Sequence, residues 1–324
     1  MNANILISNL TNPVLLFFIL GVLATIVKSD LEIPAASAKF ISLYLLFSIG
    51  FRGGQELVHS GINETIIVTL LLALAFSILV PIYVFYLLRW KLTVSDAGAV
   101  ASAYGSVSAV TFISAASFLE MSNTPYGGHM VAAMAMMEAP AIVVGMILIR
   151  KYEIDKEKTT SIKTVLHDAF TNGSVWMIIG SLFIGLIADT KQAEGIKPFT
   201  SDIFKGFLAI FLLEMGMVAA KRFKAFLQYG WFVTIVSIVI PVINGMAAIW
   251  ISSFWHIESG NRFMLAILAA SASYIAVPAA MRLAAPKADP GLYIPMALGL
   301  TFPFNISIGM PLYWMLIELI PAAH

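Results

Sequence analysis

Two segments rich in small and hydroxyl-bearing residues lie within long apolar stretches of the chain. The first segment has its centre at Ala101 to Ala109, with Gly105 inside it, and the second has its centre at Ala269 to Ser273. Serine caps the helix that follows it, and Pro278, shortly after the second segment, disfavours an uninterrupted helix. The pattern predicts that each segment interrupts a helix, with close packing of small residues as the alternative.

An interrupted helix presents the N-terminus of its second half, which carries about +0.5 elementary charge and unpaired N–H groups. If the two half-helices run in opposite directions, both N-termini face one point near the middle of the span. No Lys or Arg lies near either interruption. The sequence therefore predicts a site for one small monovalent anion and argues against phosphorylated or multiply charged ligands.

Two acidic residues, Glu138 and Glu214, lie inside apolar stretches, where an ionisable side chain is costly and usually functional. Thr301 and Asn305, on either side of Pro303, offer neutral oxygen atoms of the kind that hard cations prefer. These four residues are the candidates for a site that binds a coupling cation. An interhelical hydrogen bond is the alternative role for each acid.

The remaining residues exclude most catalytic chemistry. The chain has no cysteine, and no two of its 5 histidines have the spacing of zinc ligands on a helix. It contains neither a phosphate-binding glycine loop nor a nucleophilic serine elbow. We therefore expect no enzyme activity, no cofactor and no metal other than the coupling cation.

The composition is that of a membrane protein. Of 324 residues, 60% are hydrophobic and 11% are charged, whereas soluble domains have about 25% charged residues. The net charge of +1 produces no field that would attract a nucleic acid. At about 20 residues a span, the sequence predicts ten helices in a lipid bilayer. They lie at 13–27, 36–50, 64–89, 93–119, 128–149, 173–188, 200–220, 228–254, 262–284 and 291–319.

The two halves of the chain are similar to each other at offsets of 160 to 166 residues. The matches are Thr11-Asn12 with Thr171-Asn172, Gly50 with Gly216, Pro81 with Pro241, Ser106-Val107-Ser108 with Ser271-Ala272-Ser273, and Pro140 with Pro303. Because five helices per half is an odd number, the second half enters the membrane from the opposite side. The predicted fold is an all-α membrane protein of two inverted five-helix repeats, 1–150 and 173–324, with helices four and nine broken.

A polar linker at 151–172 separates the repeats, and the basic residues predict its side of the membrane. Of the 19 Lys and Arg residues, 14 lie in the linker or in loops on the same side, and 5 lie on the other side. Loops rich in Lys and Arg stay in the cytoplasm. We therefore expect a cytoplasmic linker and both termini outside.

Four further strings carry a family resemblance: SIGFRGG at 48–54, LLEMGMVAAKR at 212–222, SASYIAVPAAMR at 271–282 and TFPFNISIGMPLY at 301–313. With YGSVSAVTFISAASFLE at 104–120, they resemble the SbtA family of sodium-dependent bicarbonate transporters over essentially the whole chain. The resemblance implies a homotrimer in a bacterial inner membrane, with a core module that moves against a gate module. It also implies symport of Na+ and bicarbonate by alternating access, with the substrate near the two interruptions. The resemblance assigns the substrate-binding residues by motif as Gly105, Ser106, Val107, Ser108, Ser271, Ala272, Ser273 and Tyr274.

Two features depart from the family pattern. Glu138 stands where the family tends to have a shorter acid, and this difference in length alters the geometry of an ion site. Cyanobacterial members bind a PII-like regulator and generally have a longer central loop. The short linker here, 151–172, argues against that partner.

Three other functions share part of this pattern. They are symport of another small monovalent anion or monocarboxylate, a passive anion channel, and a membrane sensor that transports nothing. A channel has no need of a buried acid beside an anion site, so Glu138 favours coupled transport.

Overall fold

The computed structural model of the chain describes residues 13–60, 63–153, 163, 167, 171, 173–226 and 230–322. Within these ranges the chain forms helices and no strand. The predicted linker, apart from residues 151–153, 163, 167 and 171, lies outside the described residues, as does the Thr11-Asn12 pair.

We number the helices of the described ranges in chain order. The first half contains α1 (Pro13–Ile26), α2 (Ala35–Ser60), α3 (Glu64–Leu88), α4 (Val94–Gly105), α5 (Ala109–Met121) and α6 (His129–Tyr152). The second half contains α7 (Gly173–Ile187), α8 (Thr190–Lys197), α9 (Phe204–Phe226), α10 (Trp231–Ser252), α11 (Ser259–Ala270), α12 (Ala276–Ala284) and α13 (Pro290–Leu319). A π-helical turn, Pro198–Asp202, joins α8 to α9, and α13 contains two π-helical stretches, Met296–Thr301 and Asn305–Gly309.

In the described part of the chain, 7 helical segments are long and apolar enough to cross a bilayer. They are α2, α3, α4 with α5, α6, α8 with α9, α10, and α13. Helices α1 and α7 are apolar but shorter. The chain is therefore a multi-pass, all-helical membrane protein.

Two elements differ from the prediction. Helix α2 continues to Ser60 rather than ending at residue 50, because its polar end packs on α7. There Gln55 donates hydrogen bonds to the carbonyl of Gly185 in α7 and to that of Ala188 just beyond the helix (3.1 Å). Helix α8 was not predicted, since it is short and polar. It begins where the Asp189 side chain accepts hydrogen bonds from the first N–H groups of the helix.

The first two membrane helices of each half pack across to the other half. Helix α1 lies against α9, and α2 lies against α7. Both contacts use a glycine: an added Cβ at Gly50 would lie 2.7 Å from the Ile178 carbonyl oxygen, and one at Gly216 would overlap the Phe18 carbonyl. We call α1, α2, α7 and α9 the four-helix group.

The other membrane helices form a central group around two helices that are almost wholly buried, α4 and α11. Helix α3 packs on α4 and α6, and α10 packs on α11 and α13. Polar segments are tolerated at membrane depth where protein surrounds them. The burial of α4 and α11 provides this protection at the point where each of them ends.

Candidate functional site

The first predicted interruption is present. Helix α4 ends at Gly105 and α5 begins at Ala109. Between them, Ser106 and Ser108 have extended backbones, with ψ of −178° and 111°. The Ser108 hydroxyl accepts a hydrogen bond from the Thr111 N–H (3.2 Å) and so caps α5, as the sequence predicts.

The second predicted interruption is also present, since residues 271–275 separate α11 from α12. Ser271 is extended, with ψ of 168°. The Ser273 hydroxyl accepts a hydrogen bond from the Val277 N–H (3.4 Å) in the first turn of α12. Ser108 is the N-cap residue of α5, whereas Ile275 is the N-cap residue of α12, so Ser273 bonds to this helix from two residues before its N-cap.

The two interruptions lie against each other. The Ser108 N–H donates to the Ser271 hydroxyl (3.0 Å), and the Ser273 N–H donates to the carbonyl of Ala103 (2.8 Å). Each half thus supplies a donor and an acceptor to the other. These bonds join the halves at the points where both helices break.

Thr301 and Asn305 hold the helices that lead into the interruptions. The Asn305 amide donates to the carbonyl of Ala270, the last residue of α11 (2.8 Å). The Thr301 hydroxyl donates to the Ser237 carbonyl (2.7 Å) and accepts from Tyr104, next to the end of α4 (2.7 Å). Both residues lie in π-helical stretches of α13, a feature that occurs frequently at functional sites.

A small cavity of about 30 Å³ lies at the two interruptions. Its lining residues are Ser42, Leu46, Val107, Ser108, Ala109, Glu138, Ser174, Ser273, Tyr274, Ile275 and Ala276. A space of this size has room for about one or two water molecules. We call this small, partly enclosed space the closed cavity.

The cavity adjoins the N-termini of two half-helices. Ala109 and Ala276 are the first residues of α5 and α12, and both line the cavity. N–H groups in the first turn of a helix have no acceptor within that helix. Because each N-terminus supplies about +0.5 elementary charge, the pair matches one negative charge.

Glu138, on α6, contributes a carboxylate to the same cavity. Among the described residues it takes part in no ion pair or side-chain hydrogen bond. The hydroxyls of Ser42, Ser108, Ser174 and Ser273 line the same space. One carboxylate with several hydroxyl oxygens is a suitable set of ligands for a hard cation.

The structure separates the predicted site residues into two sets. Val107, Ser108, Ser273, Tyr274 and Glu138 line the cavity. The predicted residues that do not line it are Gly105, Ser106, Ser271, Ala272, Glu214, Thr301 and Asn305.

Glu214 lies half-buried on α9 and outside the cavity lining. The Tyr274 hydroxyl reaches the same helix, where it donates to the sulfur of Met215 (3.7 Å). Ser42 and Ser174 line the cavity but were not predicted. A single serine in an apolar helix has no sequence signal that distinguishes it from a packing residue.

Gly105 packs closely against α3 and does not line the cavity. An added Cβ would overlap the Pro81 ring and lie 3.1 Å from the Cβ of Ala141.

We expect Gly105→Ala to destabilise the fold by about 1–3 kcal/mol, and Pro81→Ala in the same chain to recover most of this loss. Thermal unfolding of the purified variants in detergent measures both effects. A Gly105→Ala protein as stable as wild type, or a double variant less stable than Gly105→Ala, would contradict this packing role.

Comparison with known families gives one match. A family model described as the Na+-dependent bicarbonate transporter superfamily matches residues 13–318, which include both interruptions and Glu138. No curated protein matches the chain.

Proposed function

The chain belongs to the Na+-dependent bicarbonate transporter superfamily, and we propose that it imports bicarbonate by symport with Na+. The observation that supports this most strongly is the closed cavity at which two half-helix N-termini meet one carboxylate. Bicarbonate is a small monovalent anion, and the two N-termini together match its charge.

The charges at the cavity give a reason for coupling. The N-termini supply about +1 in total, whereas Glu138 and bicarbonate supply −1 each. The site with anion alone thus keeps about one excess negative charge, which costs several kcal/mol inside a membrane. One Na+ beside Glu138 removes this excess, so binding of either ion favours binding of the other. We infer that one Na+ accompanies each bicarbonate.

The proposed architecture is ten membrane helices in two inverted repeats, residues 1–150 and 173–324. The reciprocal packing of α1 on α9 and of α2 on α7 supports it, as do the matched glycines Gly50 and Gly216. The four-helix group is then the gate module, and the central group is the core module. Ser42, Leu46 and Ser174 from the four-helix group close one wall of the cavity. Movement of the core module past this wall exposes the site to one side at a time.

The proposed orientation places the linker in the cytoplasm, and exposed lysines at the two ends of the bundle test it. Lys91→Cys, beyond the end of α3, is expected to be shielded from an impermeant thiol reagent in intact cells, whereas Lys191→Cys, in α8, is expected to react. The chain has no native cysteine, so the background is low. The reverse labelling pattern would invert the proposed topology.

Uptake of radiolabelled bicarbonate into proteoliposomes tests the function. We expect uptake with an inward Na+ gradient and almost none when K+ replaces Na+. Competition by formate, acetate and nitrate tests the alternative of another small monovalent anion as the substrate. Uptake at a rate independent of Na+ would indicate a passive channel and refute symport.

A further inference from the structure

A second cavity, of about 210 Å³, lies at the end of the bundle opposite the linker. We call it the mouth cavity. Its lining residues include Arg52 and Glu56 near the end of α2, Glu120 near the end of α5, and Tyr126 in the connection to α6. In the proposed orientation this cavity faces the cell exterior. Its volume is about seven times that of the closed cavity.

Arg52 is the basic residue that lines the mouth cavity. Its guanidinium carbon lies 4.8 Å from the centre of the Phe204 ring. Its Nε is buried and has no hydrogen-bond acceptor among the described residues. A buried donor without an acceptor is costly unless a ligand or water satisfies it. Arginine also presents a planar array of donors that matches a carboxylate-like group.

Two carboxylates, Glu56 and Glu120, also line the mouth cavity, and neither forms an ion pair with Arg52. Glu120 is paired with Lys205 (3.3 Å), and Glu56 is exposed to solvent. Burial raises the pKa of Tyr126 to about 12, so its phenol stays neutral at physiological pH. Tyr126 therefore adds a neutral hydrogen-bonding group beside the guanidinium rather than a competing negative charge.

Helices α2 and α5 line both cavities. Helix α2 contributes Leu46 to the closed cavity and Arg52 to the mouth cavity. Helix α5 contributes Ala109 to the closed cavity and Glu120 to the mouth cavity. At 1.5 Å per residue, the α5 positions are about 16 Å apart along the helix. Since α2 belongs to the four-helix group and α5 to the central group, the two cavities lie along the boundary between the proposed modules.

We propose that the mouth cavity is an external, low-affinity binding site for small oxyanions, at which the Arg52 guanidinium captures bicarbonate before it reaches the closed cavity. The assignment of bicarbonate rests on the proposed function, whereas the assignment of an oxyanion rests on Arg52 itself. The site supplies substrate to the boundary between the modules without taking part in Na+ coupling.

Uptake kinetics test the supply role. Arg52→Gln is expected to raise the KM for external bicarbonate about fivefold or more, since a charge-assisted contact is lost. The maximal rate and the half-saturating Na+ concentration are expected to stay within about twofold of wild type. Arg52→Lys keeps the charge without the planar fork and should recover part of the loss. Lys191→Gln, which removes an exposed charge from the same end, should leave KM unchanged.

Equilibrium binding of radiolabelled bicarbonate to purified protein tests the site without transport. Ser273→Leu removes the closed site, and the remaining weak binding is expected to disappear in Ser273→Leu/Arg52→Gln. Equal binding by these two proteins, or a fall in maximal rate without a rise in KM for Arg52→Gln, would overturn the proposal. If wild type takes up no bicarbonate but Arg52-dependent binding persists, the proposed function is wrong and the anion site stands. If uptake is normal and Arg52 affects neither measurement, the mouth site is wrong and the proposed function stands.

Discussion

Replacing Ser273 by leucine should reduce Na+-dependent bicarbonate uptake about 100-fold or more, and replacing Ser108 by leucine should have the same effect. Both residues line a cavity of only about 30 Å³, which a leucine side chain would fill. A 100-fold loss corresponds to about 3 kcal/mol. An uncompensated charge inside the membrane costs at least this much, so displacement of the anion from the helix N-termini suffices to produce the loss.

The two variants should each be as severe as the double variant. In the proposed site one anion contacts the N-termini of both α5 and α12, and neither terminus alone matches its charge. Bicarbonate binding to the closed site, measured by calorimetry with purified protein, should therefore vanish in either single variant. If each variant removed half of the tight binding, the two interruptions would be separate sites and the shared pocket would be wrong.

Alanine variants separate the volume of the side chain from its hydroxyl group. Ser108→Ala and Ser273→Ala leave the backbone in place, and each removes one hydrogen bond from the following helix, worth about 1 kcal/mol, so uptake should fall about tenfold at most. Ser253→Leu, just beyond α10, inserts the same bulk away from the cavity and should transport normally. Normal uptake by Ser108→Leu and Ser273→Leu, at matched amounts of inserted protein, would refute the site assignment.

The interruptions were predictable because their signals are local. Ser108 and Ser273 are good capping residues, and the small residues before them occur at matched positions in the two halves. The hydrogen bond from the Ser273 N–H to the Ala103 carbonyl was not predictable. It joins backbone atoms 170 residues apart in the chain, and only tertiary packing determines which carbonyl a free N–H group meets.

Packing also separates residues that look equivalent in the sequence. Glu138 and Glu214 are both acids within apolar helices, but only Glu138 lines the closed cavity. Asn305 is a predicted cation ligand, and the sequence did not reveal that its amide also donates to the carbonyl at the end of α11. The extension of α2 to Ser60 was missed for a related reason: its polar residues find partners on α7, which the local sequence does not reveal.

Glu138→Gln should weaken the dependence of uptake on Na+, raising the half-saturating Na+ concentration about tenfold or more. The glutamine keeps nearly the same shape and removes the only acidic charge among the residues that line the cavity. The charges at the cavity lead to a second expectation. With this carboxylate gone, bicarbonate and the two helix N-termini are already matched in charge, so Na+ should no longer strengthen bicarbonate binding.

Two matched variants make the result specific. Glu138→Asp keeps the charge with a shorter side chain, so Na+ should still strengthen bicarbonate binding, with a shifted Na+ affinity. Glu214→Gln removes the second acid predicted for the cation site, which lies on α9 and outside the cavity lining. The half-saturating Na+ concentration of this variant should therefore stay within about twofold of wild type.

Uptake measured against Na+ concentration, with choline as the replacement cation, and calorimetric binding of bicarbonate with and without Na+ together decide the role of Glu138. If Glu138→Gln leaves the dependence of uptake on Na+ concentration unchanged, the carboxylate serves only packing, and coupling at this cavity is refuted. An equal shift for Glu214→Gln would move the cation site toward α9. If only Glu138→Gln changes, and bicarbonate then binds equally well without Na+, the cation and the anion are linked through one carboxylate. Coupling to the Na+ gradient then arises in the cavity, because bicarbonate that binds there without Na+ leaves an excess negative charge.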